Sequence, residues 1–91
     1  MRTPGNLYHP PIKKSVEIAG HKTSISLEPL FWNLLREAAA RENLPLNALV
    51  ARIDAERIAA PAPPGLAGAI RVWLTARQGF DLDEIEPRTL N

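Results

Sequence analysis

An abrupt change of hydrophobic period lies within Lys22-Thr-Ser-Ile-Ser-Leu27 and the directly following Glu28-Pro-Leu-Phe-Trp-Asn-Leu-Leu-Arg-Glu-Ala-Ala-Ala40. Up to Leu27 apolar and polar residues alternate, which is the period of a half-buried strand. From Pro29 onward the apolar residues follow helical spacing. Proline suits the first turn of a helix because that position needs no N–H donor. The segment therefore predicts a short strand that leads straight into an amphipathic helix.

The predicted strand needs a partner, because a lone strand leaves unpaired backbone groups on both edges. No second strand follows it in the sequence, and we therefore expect it to pair with a second copy of the chain. The segment 14–19 before it alternates weakly, and Gly20-His21 then interrupts the pattern. The interruption fits either a tight turn between two short strands or a bulge in one long strand.

Two more helices are predicted beyond the first one, which should span about residues 29–42. The second carries an apolar stripe from Leu46 and fades by Ala60. A proline-rich break at 61–65 ends it, since no helix continues through such a run. The third helix should begin at Leu66 and end near residue 78. Residues 1–13 are expected to form a flexible arm, 14–78 the folded domain and 79–91 an acidic tail.

Length and composition indicate one small protein domain. A chain of 91 residues buries a modest core by itself, so dimerisation would help to stabilise it. It has no cysteine, no apolar run long enough for a membrane span and no segment resembling a signal peptide, and we expect a cytoplasmic protein. The formal net charge is only +1, but residues 1–27 carry four basic side chains against one acidic side chain. Concentrated positive charge of this kind attracts a polyanion.

Motifs for catalysis or metal binding are missing from the sequence. There is no cysteine nucleophile, no G-x-S-x-G, no phosphate-binding glycine-rich loop and no H-E-x-x-H. The two histidines, His9 and His21, are not spaced with carboxylates as zinc ligands are. We therefore expect neither an enzyme nor a metal or cofactor site.

The stretch Ser15-Val-Glu-Ile-Ala-Gly-His-Lys-Thr-Ser-Ile-Ser-Leu-Glu28 resembles a motif of a small bacterial branch of the ribbon-helix-helix superfamily of DNA-binding proteins. Phe31-Trp32, Ile53-Asp54 and Ala69-Ile-Arg-Val72 extend the resemblance over roughly residues 14–78. It implies a mainly α fold with a short β-ribbon. Two chains would intertwine as a homodimer through an intermolecular antiparallel two-stranded sheet, with a third helix added here.

The resemblance also implies a mode of DNA binding, in which the ribbon enters the major groove of double-stranded DNA and its outer face meets base edges. In this chain the implied base-contacting residues are Lys22, Ser24 and Ser26. The implied phosphate contacts are Leu46 and Asn47 at the start of the second helix. From their charge and position, Lys13, Lys14 and His21 are also expected to contact phosphates. The implied dimer core consists of Ile25, Leu27, Phe31, Leu34, Leu49 and Ile53.

Some features remain open to more than one interpretation. Pro45 stands where the family often has a capping Ser or Thr, and the third helix offers a second N-terminus for the DNA backbone. Trp32 and Trp73 are expected in the core, and Arg71 and Arg77 either touch DNA or lie in solvent. The main interpretation is a transcriptional regulator. The alternatives are an antitoxin whose tail, residues 79–91, binds a toxin, and a module that binds a protein instead of DNA.

Overall fold

The computed structural model describes residues 7–78, in which two strands precede three helices. The elements are β1 (Ile12–Ile18), β2 (His21–Leu27), α1 (Pro29–Arg41), α2 (Leu46–Ala59) and α3 (Leu66–Ala76). The three predicted helices are confirmed, each with ends within two residues of those expected. Among the described residues, no helix has the length and apolar character that crossing a membrane requires.

The two strands form an antiparallel hairpin within one chain, closed by Ala19 and Gly20. Both turn residues have positive φ, 50° and 82° respectively, as in the type I′ turn whose twist matches that of paired strands. The interruption of the sequence pattern is thus a tight turn and not a bulge. This turn folds β1 back alongside β2, so one edge of β2 is paired within the chain, and pairing of its other edge with a second copy stays a prediction. β1 also includes Ile12 and Lys13, so the predicted arm ends two residues earlier than expected.

Trp32 anchors the beginning of β1 to α1. Its side chain is only 1% exposed, and its indole Nε1–H donates a hydrogen bond of 2.9 Å to the backbone carbonyl of Ile12. The Nζ of Lys14 lies 5.3 Å from the centre of the indole ring. The predicted core position of Trp32 is confirmed, and its polar N–H is satisfied by the strand that it supports.

The end of α1 is set by local backbone chemistry. Asn43 adopts a left-handed conformation with φ 56°, which asparagine tolerates better than most residues. The N–H of Leu44 donates to the carbonyl of Ala39 at 2.9 Å, and that of Asn43 donates to Ala40 at 3.1 Å. This pair of bonds is the Schellman motif. It turns the chain within three residues so that α2 begins directly after Pro45.

The added helix α3 packs against α1, α2 and β2 and closes the core of a single chain. Its residues Ile70 and Leu74 are 0% and 1% exposed. Four of the residues expected in a dimer core are at most 3% exposed within one chain, namely Ile25, Leu27, Leu49 and Ile53. Phe31 and Leu34 are partly buried against the same cluster. The four buried side chains therefore have almost no surface left for a second copy to cover.

Candidate nucleic-acid interface

The outer face of the hairpin is a continuous polar surface drawn from both strands. The register places Lys13 opposite Ser26, Ser15 opposite Ser24, and Glu17 opposite Lys22. Paired residues of an antiparallel sheet point to the same face, so these six side chains share one side. All six are exposed. We call this surface the outer ribbon face.

The three residues expected to contact bases lie together on this face. Lys22, Ser24 and Ser26 alternate along β2 with Thr23, Ile25 and Leu27, which point inward and are partly or fully buried. The side chains of Lys22, Ser24 and Ser26 make no hydrogen bond to any residue in the described range. Their donors and acceptors are therefore free for a ligand, while the buried alternate positions hold the strand in place.

The three side chains expected to contact phosphates do not form one group. Lys13 belongs to the outer ribbon face, but Lys14 is paired with Ile25 on the inner face. Consecutive strand residues point to opposite sides, so Lys14 extends along the Trp32 ring instead of standing beside Lys13. His21 is exposed next to the turn and shares the inner face with Ile18.

The beginning of α2 has the free backbone donors that a phosphate contact requires. Leu46 and Asn47 are its first two residues, whose N–H groups have no acceptor within the helix. Pro45 is the N-cap and gives no side-chain cap, as the sequence suggested. α3 also begins without a side-chain cap, at Gly65. Since α2 packs against β1 and α3 against β2, both helices contact the ribbon.

Arg71 of α3 holds the junction between β2 and α1. Its guanidinium lies 3.0 Å from the carboxylate Oε1 of Glu28 and donates a longer bond of 3.5 Å to the carbonyl of Ser26. It also lies 5.7 Å from the centre of the Phe31 ring. The pKa of Glu28 lies below its ordinary value of 4.5, chiefly because of the hydrogen bond from its own backbone amide, while partial burial opposes the shift and Arg71 adds to it. Arg71 thus supports the ribbon from within the domain.

Arg77 is likewise engaged with other side chains of the domain. Its guanidinium lies 3.1 Å from Oε2 of Glu42 and 4.8 Å from the centre of the Trp73 ring. Arg52 reaches the other oxygen of Glu42 at 3.4 Å and the same ring at 5.8 Å. Trp73, expected in the core, is only partly buried and packs against it. These contacts join the three helices at the C-terminal end of α1.

The structure adds two residues to those that sequence reasoning selected. Ser15 and Glu17 of β1 lie on the outer ribbon face beside Ser24 and Lys22. In the sequence, their alternation with Val16 and Ile18 indicates that Ser15 and Glu17 share one face of a strand. Only the turn at Ala19 and Gly20 places that face beside Ser24 and Lys22. Within residues 7–78, no three side chains from His, Cys, Asp and Glu come together in a way that suits a metal ion.

Comparison with known proteins identifies the family of the chain. The model of the ribbon-helix-helix domain matches residues 11–77, which is more than two thirds of the 91 residues. Searches of curated proteins and of solved structures found no match. The matched range includes the hairpin and all three helices. The order of a β-ribbon and packed helices agrees with this match, and the chain belongs to the ribbon-helix-helix domain family.

Proposed function

We propose that the protein is a sequence-specific DNA-binding protein, and more narrowly a transcriptional regulator of bacteria that acts in the cytoplasm. The observation that carries the proposal is the outer face of β2, where Lys22, Ser24 and Ser26 are exposed on a strand whose alternate residues are buried. A two-stranded β-ribbon fits the major groove of B-DNA. Family membership supports the same conclusion, since the family is one of DNA-binding domains.

The three β2 side chains have complementary roles in this proposal. Lys22 donates to guanine O6 and N7, and the hydroxyls of Ser24 and Ser26 both donate and accept at base edges. Lys13 and His21 contact phosphates beside the ribbon, and so do the N–H groups of Leu46 and Asn47. Lys14 is left out of the proposed interface because its ammonium lies over the Trp32 ring, whereas His21, at the end of the same face, is exposed beside the turn.

We also propose that the protein works as a homodimer, as the family relationship suggests. Because one chain already closes its core, the second copy would use surface that remains open. The edge of β2 away from β1 has no partner strand in the described range. The helices also present exposed apolar side chains at Leu30, Ile58 and Val72. Sedimentation equilibrium tests this part of the proposal, with an expected mass of twice the 10.0 kDa of one chain.

The test of DNA binding begins with selection of duplexes from a randomised pool by the purified protein. Affinity for a selected and a scrambled duplex is then measured by fluorescence anisotropy across a salt series. We expect tighter binding to the selected duplex and a negative slope of log affinity against log salt concentration. Lys22→Ala should weaken binding and relax the preference, whereas Lys14→Ala, the matched lysine on the inner face, should preserve the preference.

The same anisotropy experiment can also contradict the proposal of DNA binding. If neither duplex binds at low salt, the proposal is wrong, and a module that binds a protein becomes the better interpretation. The antitoxin alternative depends on residues 79–91, which lie outside the described residues. It would be supported if a partner protein co-purified with the full chain and was lost on removal of that tail.

A further inference from the structure

The open edge of β2 offers the backbone groups of every second residue to a further strand. The turn is two residues long, so the pair that flanks it, Ile18 and His21, exchanges backbone hydrogen bonds. Along an antiparallel ladder such pairs alternate with pairs that are not bonded to each other. The residues of β2 whose N–H and C=O groups point away from β1 are therefore Lys22, Ser24 and Ser26.

The chain itself closes both ends of this row of free backbone groups. At one end the hairpin turn begins. At the other end the N–H of Glu28 is bonded to its own side chain, and Pro29 opens α1. The guanidinium of Arg71 lies 3.5 Å from the carbonyl of Ser26, as expected of a group that points to the open edge. A strand that pairs with this edge of β2 therefore has three residues to bond and no more.

An apolar stripe on α1 lies on the same side of the domain as the open edge. Trp32 marks the opposite side, since its indole bonds the first residue of β1. Phe31 marks the side of the open edge, since its ring lies 5.7 Å from the guanidinium of Arg71, which reaches that edge. Helical spacing places Leu30 and Leu34 on the same flank as Phe31, and all three keep exposed surface. A copy that paired with the edge would cover this stripe as well.

We propose that two copies pair through these edges in one register, with Ser24 facing Ser24 of the partner subunit on the two-fold axis. Lys22 then faces Ser26 of the partner subunit. The dimer carries a four-stranded antiparallel sheet in the order β1-β2-β2-β1, whose central pair is the ribbon that reads DNA. This inference rests on the proposed function and deepens it, because it fixes how the second copy completes the DNA-binding surface.

The three free residues have one register in which all of them are paired. Only residues whose backbone groups point outward form hydrogen-bonded pairs across the edge. With Ser24 on the axis, all three residues of each chain take part. With Thr23 on the axis, one of them would face Gly20 in the turn. With Ile25 on the axis, one would face Glu28, whose N–H is already bonded.

The paired edges give the dimer a symmetric surface for DNA. In the central ribbon the Lys22 residues of the two chains lie four positions apart, which at about 3.4 Å per residue is about 14 Å. That distance spans at most about four base pairs at about 3.4 Å each. The two β1 strands lie about 14 Å apart and stay outside the groove, which is about 12 Å wide. The preferred duplex should therefore be an inverted repeat whose two G·C pairs lie within about four base pairs.

Single-cysteine crosslinking tests the register, because the sequence contains no cysteine of its own. Residues of a hydrogen-bonded antiparallel pair have Cα atoms about 5.5 Å apart, a distance that a disulfide spans. Ser24→Cys should therefore form a disulfide-linked dimer in a glutathione redox buffer, measured by intact mass. Ser15→Cys is the matched control, since it lies opposite Ser24 on the same face of β1. We expect roughly tenfold more crosslinked dimer for Ser24→Cys than for Ser15→Cys.

A second pair of variants tests the stripe on α1 by sedimentation equilibrium. Leu30→Glu should raise the dissociation constant of the dimer roughly tenfold, because it places a charge in the covered stripe. Ile58→Glu is the control, since Ile58 is an apolar residue of α2 that is 60% exposed, and it should leave the dissociation constant unchanged. Both sites are exposed in the single chain, and circular dichroism verifies that each variant is folded.

The outcomes separate the inference from the proposed function. If Ser24→Cys crosslinks no better than Ser15→Cys, or if the wild type stays monomeric with and without DNA, the register is wrong, even where anisotropy shows selective DNA binding. If Ser24→Cys crosslinks as expected but the wild type binds no duplex at low salt, the pairing is supported and the proposed DNA-binding function fails.

Discussion

Replacement of Trp32 by phenylalanine should loosen the hairpin from the helices. The change keeps an aromatic ring at a site that is 1% exposed, but it removes the Nε1–H donor that bonds the carbonyl of Ile12 at 2.9 Å. It also shrinks the ring that lies 5.3 Å from Nζ of Lys14. Since this contact holds the first residue of β1, we expect the loss to appear first in that strand.

The magnitude follows from three contributions. The hydrogen bond contributes about 1 kcal/mol, because water can reach the partly exposed Ile12 once the indole is gone. The smaller ring buries about 40 Å² less apolar surface, which at about 25 cal/mol per Å² costs roughly 1 kcal/mol. The weaker cation–π contact with Lys14 costs about 0.5 kcal/mol. We therefore expect Trp32→Phe to lower the free energy of unfolding by about 2–3 kcal/mol.

The assay is urea denaturation followed by far-ultraviolet circular dichroism, because the substitution removes one of the two tryptophan fluorophores. Amide hydrogen exchange should show faster exchange in β1 than in α2. Trp73→Phe is the matched control, since Trp73 is only partly buried and its indole makes no hydrogen bond to a described residue. It should cost less, about 1–1.5 kcal/mol, because it loses only some apolar burial and part of its cation–π contacts with Arg52 and Arg77. If the two variants were equally stable, the hydrogen bond to Ile12 would not be the anchor of β1.

Three further predictions concern the turn, the core and the junction with α3. Ala19→Asn should raise the free energy of unfolding by about 0.5–1 kcal/mol, because asparagine tolerates the positive φ of 50° better than alanine. A urea unfolding midpoint of the variant equal to or below that of wild type would contradict the type I′ turn. Leu49 is 0% exposed, and Leu49→Ala should lower the free energy of unfolding by about 2–5 kcal/mol at any protein concentration. If the loss of stability disappeared when the protein was concentrated, Leu49 would lie in a dimer interface instead. The depressed pKa of Glu28 means that its carboxylate stabilises the fold above its ordinary value of 4.5, and that this contribution is lost as the pH falls through the folded-state pKa. Arg71→Met should raise the pKa of Glu28 in an NMR titration while leaving it below 4.5, since the hydrogen bond from its own amide remains; an unchanged pKa would refute the role of Arg71.

The helices and the orientation of β2 could be predicted from sequence because each depends on local period and local breaks. The alternation from Lys22 to Leu27 is enough to separate an outer polar side from an inner apolar side. Pro29 marks where α1 begins, and the prolines after Ala60 mark where α2 must stop. These signals are contained in short segments, so no distant contact is needed to interpret them.

The partner of β2 could be assigned only from the tertiary structure. Whether residues 12–18 pair with β2 depends on two positive φ angles, at Ala19 and Gly20. Alanine is not among the residues that are typical of the first position of such a turn, so the sequence does not predict it. The same holds for the side chains expected in a dimer core. An apolar stripe predicts that its residues are buried, but it does not show which chain buries them. Here α3 of the same chain packs against the core that contains these side chains.

The sequence alone was therefore sufficient for the local elements, the polar face of β2 and the family resemblance, because periodicity and motif spacing are properties of neighbouring residues. Only the tertiary structure decided that β1 pairs with β2 within the chain, that Lys14 lies along Trp32, and that Ser15 and Glu17 share a face with Ser24 and Lys22. Those outcomes depend on strand register and on the turn that sets it. A shift of one residue in register would have exchanged the two faces of β1.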